Sequence, residues 1–190
     1  MRYLLSILLL LCTSCIQIGS DPQPMHYYLL ESMSETPNIY SSKGLDINIE
    51  LINFPEYLDR LQIVTRNNNN GIAFSDSERW AEPLQDNLIR IIRENLVLML
   101  PGTNITVSPW ENSNSDAIKV KLVVNKLLGK LGDQTQVDIR WTIDTDRDQT
   151  KQGHFIDRQP IDNSYQDLVA GLNNGINDLS LELAKKLVGK

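Results

Sequence analysis

Pro83-Leu84-Gln85-Asp86-Asn87-Leu88-Ile89-Arg90-Ile91-Ile92-Arg93-Glu94-Asn95-Leu96-Val97-Leu98-Met99 is where the chain changes its period. Leu84, Leu88, Ile91, Ile92, Leu96 and Met99 recur at helical spacing, and Asp86, Arg90, Arg93 and Glu94 take the other faces. That is the pattern of an amphipathic helix with one buried stripe. Pro83 suits the first turn, where its missing N–H leaves no bond unmade, and Pro101-Gly102 stops the helix.

On either side of this helix the period is two. Upstream, Leu45, Ile47, Ile49 and Leu51 alternate with Asp46, Asn48 and Glu50, so one face of a strand is buried. Met25 to Leu30 reads as a first strand. Leu61 to Arg66 and Ile72 to Ser75 form a hairpin over the Asn67–Gly71 turn. Downstream, Ile105 and Val107 mark a short strand. Ile118, Val120, Leu122 and Val124 line a longer one, and Val137, Ile139, Trp141 and Ile143 another after the Gly132-Asp133 turn. His154 to Ile156 is the last strand. Tyr165, Leu168, Val169, Leu172, Ile176, Leu179, Leu183 and Leu187 form the stripe of a second helix, opened by a Ser164/Asp167 capping box. Closely spaced strands suggest an antiparallel meander. The expectation is an α+β domain, a mostly antiparallel or mixed sheet with both helices on one face.

The whole chain has 190 residues, with 18 Lys+Arg, 24 Asp+Glu and a net charge of -6. An acidic chain without a basic block is a poor ligand for nucleic acid. Both cysteines, Cys12 and Cys15, fall in the first fifteen residues, and there are two histidines, so a Cys/His zinc site is nearly excluded.

Those first residues read as an address. Met1-Arg2-Tyr3 precedes the apolar run Leu4 to Leu11, about half the ~20 residues a permanent membrane helix needs. Thr13-Ser14-Cys15 follows and resembles the bacterial lipobox, with Cys12 where Leu is usual at position -3. Cys12 itself follows bulky Leu11 and fits cleavage less well than Cys15. Residues 1–14 are then a lipoprotein signal peptide and residues 15–24 a lipidated cysteine with a Gly-, Ser-, Asp- and Pro-rich tether. Residues 25–190 are one α+β domain. Ile16, rather than Asp, follows the cysteine; by similarity to enterobacterial sorting rules this directs the protein to the outer membrane. Three acyl chains exceed what stable anchoring requires.

No GxSxG elbow, HExxH pair or Walker loop occurs, so a catalytic site and a cofactor are not expected. His26 and His154 both read as ordinary strand histidines. Asp144-Thr145-Asp146-Arg147-Asp148 mimics the start of an EF-hand loop. Gln149 holds the place of the turn glycine and Phe155 that of the bidentate acid, so a solvated Asp-rich hairpin turn explains it without calcium. Lys119 and Lys121, with Asp138 and Arg140 on the neighbouring strand, read as cross-strand ion pairs on an open sheet face.

Two segments hold more. Phe54-Pro55-Glu56-Tyr57-Leu58-Asp59-Arg60-Leu61-Gln62-Ile63-Val64-Thr65-Arg66 joins a turn with two aromatics to a strand with Arg at both ends. Arg79-Trp80-Ala81-Glu82-Pro83-Leu84 puts Trp beside Arg at the mouth of the first helix. Trp80 serves as a staple between helix and sheet, the reading favoured here, or as a binding hot spot with Arg and Tyr.

These segments resemble the PqiC family, auxiliary lipoproteins of ABC-type and MCE-type lipid transport systems. In order come the lipobox Cys15, the Tyr27-Tyr28-Leu29-Leu30 strand, the motif from Pro55 through Tyr57, Asp59, Arg60 and Gln62 to Arg66, and the motif with Arg79, Trp80 and Pro83. Leu61 stands where the family pattern has Pro. The resemblance implies a fold akin to the N-terminal domain of TolB and a non-enzymatic role. The lipoprotein would be the outer-membrane component that receives the far end of a PqiB-like, MCE-domain protein anchored in the inner membrane. A homo-oligomer is compatible with that role. The alternatives are a periplasmic lipid-binding carrier, which needs an apolar cavity, or an auxiliary subunit of another ABC transporter.

Cys15→Ser should release the protein from membranes or leave it unprocessed, as fractionation and intact-mass measurement will show. A variant matured, acylated and membrane-bound like wild type assigns the anchor elsewhere.

Overall fold

The computed structural model describes residues 24–35, 40, 44–69, 71–145 and 149–189. The proposed signal peptide, the cleavage site at Cys15, the tether up to residue 23 and the centre of the EF-hand mimic lie outside them.

A single strand organises the sheet. β6 (Ile118–Lys130) is joined along one edge by antiparallel β7 (Gln134–Thr145), from Lys119 opposite Asp144 to Lys130 opposite Gln134. β8 (Gln149–Asp157) continues this meander on the far side of β7. The other edge of β6 is shared. β2 (Asp46–Asn53) takes its first half and β3 (Gln62–Arg66) its last, with Thr65 opposite Gly129. β5 (Asn104–Ser108) pairs outside β2, and β4 (Ile72–Trp80) outside β3. β1 (His26–Tyr28) pairs beyond β4.

The sheet is therefore mixed. The expected meander is confined to β6, β7 and β8; β2 and β3 run parallel to β6, β5 to β2, and β1 to β4. Parallel neighbours need long crossovers. The first helix, α1 (Leu84–Met99), lies in the crossover that carries the chain from β4 to β5. Strand spacing alone carries no sign of which strands such a crossover will join.

The expected buried stripes are the observed ones. In α1, Leu88, Ile91, Ile92, Leu96 and Met99 are fully buried, as are Leu168, Ile176, Leu179 and Leu183 in α2 (Tyr165–Leu187). They face Ile47, Ile49, Val120, Leu122, Val124, Val137 and Ile139, which alternation places on one side of the sheet. Gly175 lets α2 sit directly on β7, since a Cβ there would lie 2.6 Å from Cγ2 of Val137. Ser164 caps α2, accepting from the Asp167 N–H at 3.0 Å.

A strap of chain after β1 is bonded into the seam between the helices by buried amides. Asn87 of α1 accepts from the Leu30 N–H at 2.7 Å and donates to its carbonyl at 3.1 Å. Asn95, wholly buried, accepts from the Met33 N–H at 2.8 Å and donates to Asn177 Oδ1 and Ser180 Oγ of α2. An asparagine on a helix's buried side leaves unmet donors and acceptors unless something polar arrives to meet them. Here the strap's backbone does.

Two kinds of substitution in this seam should separate packing from polar satisfaction. Ile176→Ala should lower stability by about 2–5 kcal/mol, as core truncations do. Asn95→Ala should lose about 1–3 kcal/mol by stranding the Met33 N–H and also raise hydrogen exchange in the strap. Denaturant melts and exchange measurements check both; unchanged exchange with Asn95→Ala would show that the strap is held by other contacts.

Candidate docking surface

Asn53 pairs with Val123 and Thr65 with Gly129, so twelve positions of the β2–β3 chain accompany six of β6. The extra length is taken up within Phe54 to Leu61, which leaves the ladder and folds into a 3-10 turn at Glu56–Leu58. Pro55 precedes the turn, and its carbonyl accepts from the Leu58 N–H at 2.9 Å. Leu58 plugs into the core, while Asp59 is exposed.

Arg60 closes this excursion. Its Nε donates to the Tyr57 carbonyl at 3.0 Å, and its guanidinium lies 4.1 Å from the ring centre of Phe74 on β4. A cation over an aromatic face is attracted by the ring quadrupole. Because directly paired strand residues share a sheet face, the register settles the other neighbours. Thr65 shares the helix side with Gly129, so Arg66 and its partner Ile72 take the opposite, open side, as do Val64 and Phe74. Gln62, Arg79 and Tyr27 pair in a row on that side too. Tyr27 is 63% exposed and Phe74 43%. The Arg79 Nε is buried without a hydrogen-bond partner among the described residues.

Tyr57, Arg60, Gln62, Arg66 and Arg79 thus gather at one corner of the open face, whereas Trp80 does not join them. It ends β4 instead of standing at the helix mouth. Strand β4 continues through Arg79 and Trp80 because Tyr28 pairs beside Trp80 and the Trp80 N–H donates to the Leu61 carbonyl at 2.7 Å. The indole is 3% exposed, and its contribution is to the core. Pro83 caps α1 by position, its carbonyl accepting from the Asn87 N–H at 3.0 Å. Sequence reasoning missed Phe74 and Tyr27. Both belong to this corner through strand pairing, which no local pattern carries.

Titrating groups flank the corner. Burial pushes the Tyr57 hydroxyl up, with Arg66 acting against the shift and Asp138 with it. Burial also pushes up the Asp138 carboxyl, but hydrogen bonds from Asn125 and His154, each 2.8 Å, outweigh it and hold Asp138 below its ordinary value. Glu78 behaves alike: burial raises it, and His26, Tyr28 and Ser77 together bring it lower. Burial and the bond to Glu78 push the Tyr28 hydroxyl up to about 12. Both histidines thus serve as carboxylate partners in strands. The expected cross-strand pairing takes a different form from the one anticipated. Lys121 reaches Asp144 at 2.8 Å, and Asp138 pairs with His154 rather than with a lysine. The reason is register, which sets Asp144, not Asp138, opposite Lys119 and diagonal to Lys121.

Among the described residues there is no cluster of three or more metal-ligating side chains and no helix long and apolar enough to cross a membrane. The cleft between β8 and α2, about 600 Å³, is lined by Gln152, Asp178, Glu182, Lys185 and Lys186 around Trp141 and Leu181. A smaller one of about 310 Å³ lies between α1 and Trp110.

Residues 27–184 match the model of a family described as the ABC-type transport auxiliary lipoprotein component. Two crystal structures share the fold. One, of an uncharacterized protein, is 19% identical with a TM-score of 0.70, covering 87% of this chain and 99% of its own. The other, from Xanthomonas campestris, is 14% identical with a TM-score of 0.61, covering 85% and 94%. At such identities the likeness is one of fold alone. No curated protein matches the chain.

The carboxylate bonds set a pH dependence. Asp138 and Glu78 titrate lower folded than unfolded, so their stabilisation is present above the unfolded carboxylate range near about pH 4. It is lost as pH falls through the folded values. Tyr28 has the opposite sense, its stabilisation present below about pH 10 and lost toward about 12. Melting temperatures of Glu78→Gln and Asp138→Asn should fall less between pH 7 and pH 3 than that of wild type. Tyr28→Phe should flatten the alkaline limb. Parallel curves for variant and wild type would assign the pH dependence to other groups.

Proposed function

The chain belongs to the family of ABC-type transport auxiliary lipoprotein components, and from that premise we propose that it is the outer-membrane docking component of an MCE-type lipid transport system. Membership makes it a membrane-anchored lipoprotein that works with a transporter, in a family that is generally non-enzymatic. The finer reading names the partner. A PqiB-like, MCE-domain protein anchored in the inner membrane crosses the periplasm, and this domain, held by lipidated Cys15, receives its far end. Nine residues, Ile16 to Pro24, allow a reach of up to about 30 Å from the lipid surface.

The observation that carries this reading is the corner built by the Phe54–Leu61 excursion. Arginine and aromatic side chains are the residue types that dominate binding energy in interfaces. Here Arg60 is already fixed over Phe74, and Tyr57 and Arg66 lie close enough to influence one another. An anchor held rigid before binding loses little rotamer entropy on docking. The 600 Å³ cleft favours this reading over a lipid carrier, because it is rimmed by charged side chains that acyl chains would have to desolvate.

Arg66→Glu and Arg60→Gln should each weaken binding to the purified periplasmic part of the MCE-domain protein at least tenfold. Melting temperatures should stay within a few degrees, since surface changes usually cost less than about 0.5 kcal/mol. Variants that unfold would make these arginines structural, and variants that fold and bind normally would move docking elsewhere.

A further inference from the structure

The proposed docking corner is one end of a larger electrostatic feature. Alternation along β6 and β7 puts Val120, Leu122, Val124, Val137, Ile139 and Trp141 toward the helices. Lys119 and Lys121 of β6 and Arg140 of β7 therefore stand on the open side; a bulge at Asn125 flips the alternation, so Lys126, opposite Asp138, and Lys130 stand there too, with Arg66 and Arg79, and Arg60 over Phe74 beside them. The same register places Asp46, Glu50, Asp138 and Asp144 there. Asp133 joins them, bound to Lys130 and lining one hollow with Arg66. Among the described residues that face holds eight cations against five carboxylates, a balance of +3. The chain as a whole is -6, with 18 basic and 24 acidic residues.

The surplus is also unspent. Of the eight cations, only Lys121 and Lys130 make ion pairs among the described residues. On the helix side Arg90 is bound to Glu82 and Glu94, and Arg93 to Glu111. A face with a net positive surplus on a protein of net negative charge raises the local concentration of a complementary partner and steers its approach. Between the charges stand Tyr27, Ile72, Phe74 and Ile156, each at least 40% exposed, which supply apolar contact once water is displaced.

We propose that the whole open face of the sheet, not its Arg60 corner alone, is the platform that receives the transport partner, and that the partner's contacting surface is an acidic protein surface. This rests on the docking reading above and adds the chemistry of the partner and the extent of the site. The carboxylates decide between protein and lipid. Asp138 is 8% exposed, held ionised by Asn125 and His154, and stands between Lys126 and Ile156. Asp144 is held ionised by Lys121 first and Thr150 next. A uniformly anionic bilayer would be repelled by fixed negative charges set among the lysines. A folded partner can meet each with its own cation, which makes the alternation a means of setting register.

The test uses the full-length protein in detergent, with Lys119, Lys126 and Arg140 changed together to Gln; all three lie outside the Arg60 corner. Binding is measured to the purified periplasmic part of the MCE-domain protein at 50 and 300 mM NaCl, and to vesicles of phosphatidylethanolamine with 30% phosphatidylglycerol. Wild type should bind the protein and lose at least tenfold in affinity between the two salts. The triple variant should melt within a few degrees of wild type, bind about tenfold more weakly at low salt and show a shallower salt dependence. If the triple variant binds like wild type while Arg66→Glu does not, the extended platform is overturned and the corner stands. If wild type binds the vesicles and not the protein, and the triple variant loses that binding, the face is a lipid-surface site and the inference is wrong. If wild type binds neither probe, the docking reading fails and the inference with it.

Discussion

Both edges of β6 must be satisfied, and most of the architecture follows from how that is done. A thirteen-residue strand exposes a row of N–H and C=O groups on each side, and burying them unpaired would be far costlier than bending the chain to pair them. β7 covers one edge by turning back through Leu131 to Asp133. The other edge is longer than β2, so the chain has to come back to it, and β3 is that return. The Phe54–Leu61 excursion is the slack between the two visits. The proposed docking corner thus exists because two strands share one edge.

The second constraint is polar. Two helices lying side by side on a sheet leave a seam, and here it is lined with amides as well as leucines. Asn87, Asn95 and Asn177 would destabilise an apolar seam, yet each has a partner, and two of them hold strap backbone. The strap follows directly from β1, itself paired to β4. The N-terminal end of the domain is therefore tied into both layers before the chain reaches β2. A tether pulling on residue 24 would load the sheet edge and the helix seam together.

Both helices and every strand but the ends of β4, β6, β7 and β8 were legible in the sequence, because amphipathic periodicity is a local signal and burial follows it. The Leu84–Met99 stripe is buried position for position. What was not legible was the pairing of distant strands. Parallel association of β2 and β5, or of β1 and β4, joins segments about fifty residues or more apart through contacts that leave no mark in either segment. The site divides along the same line. Arg60 and Tyr57 stand out by residue type, whereas Phe74, Tyr27 and the charge of the open face emerge only once register is known. Trp80 shows the converse: of the two readings its Arg-Trp pair allows, the structural one, favoured from the sequence, agrees with the buried indole, though strand pairing places it in β4.

The Phe54–Leu61 excursion is bound to the ladder only at its two ends. A residue gained or lost within a paired strand turns every later side chain onto the wrong face of the sheet. One gained or lost inside the excursion shifts nothing in β6. Apart from Leu58, which fills the core, Phe54 and Tyr57, which pack against it, and Arg60, which closes the turn, this stretch can drift in length and composition while the scaffold stays as it is. Lineages whose transport machines diverge could thus retune this contact by small insertions, without first evolving a new fold to carry it.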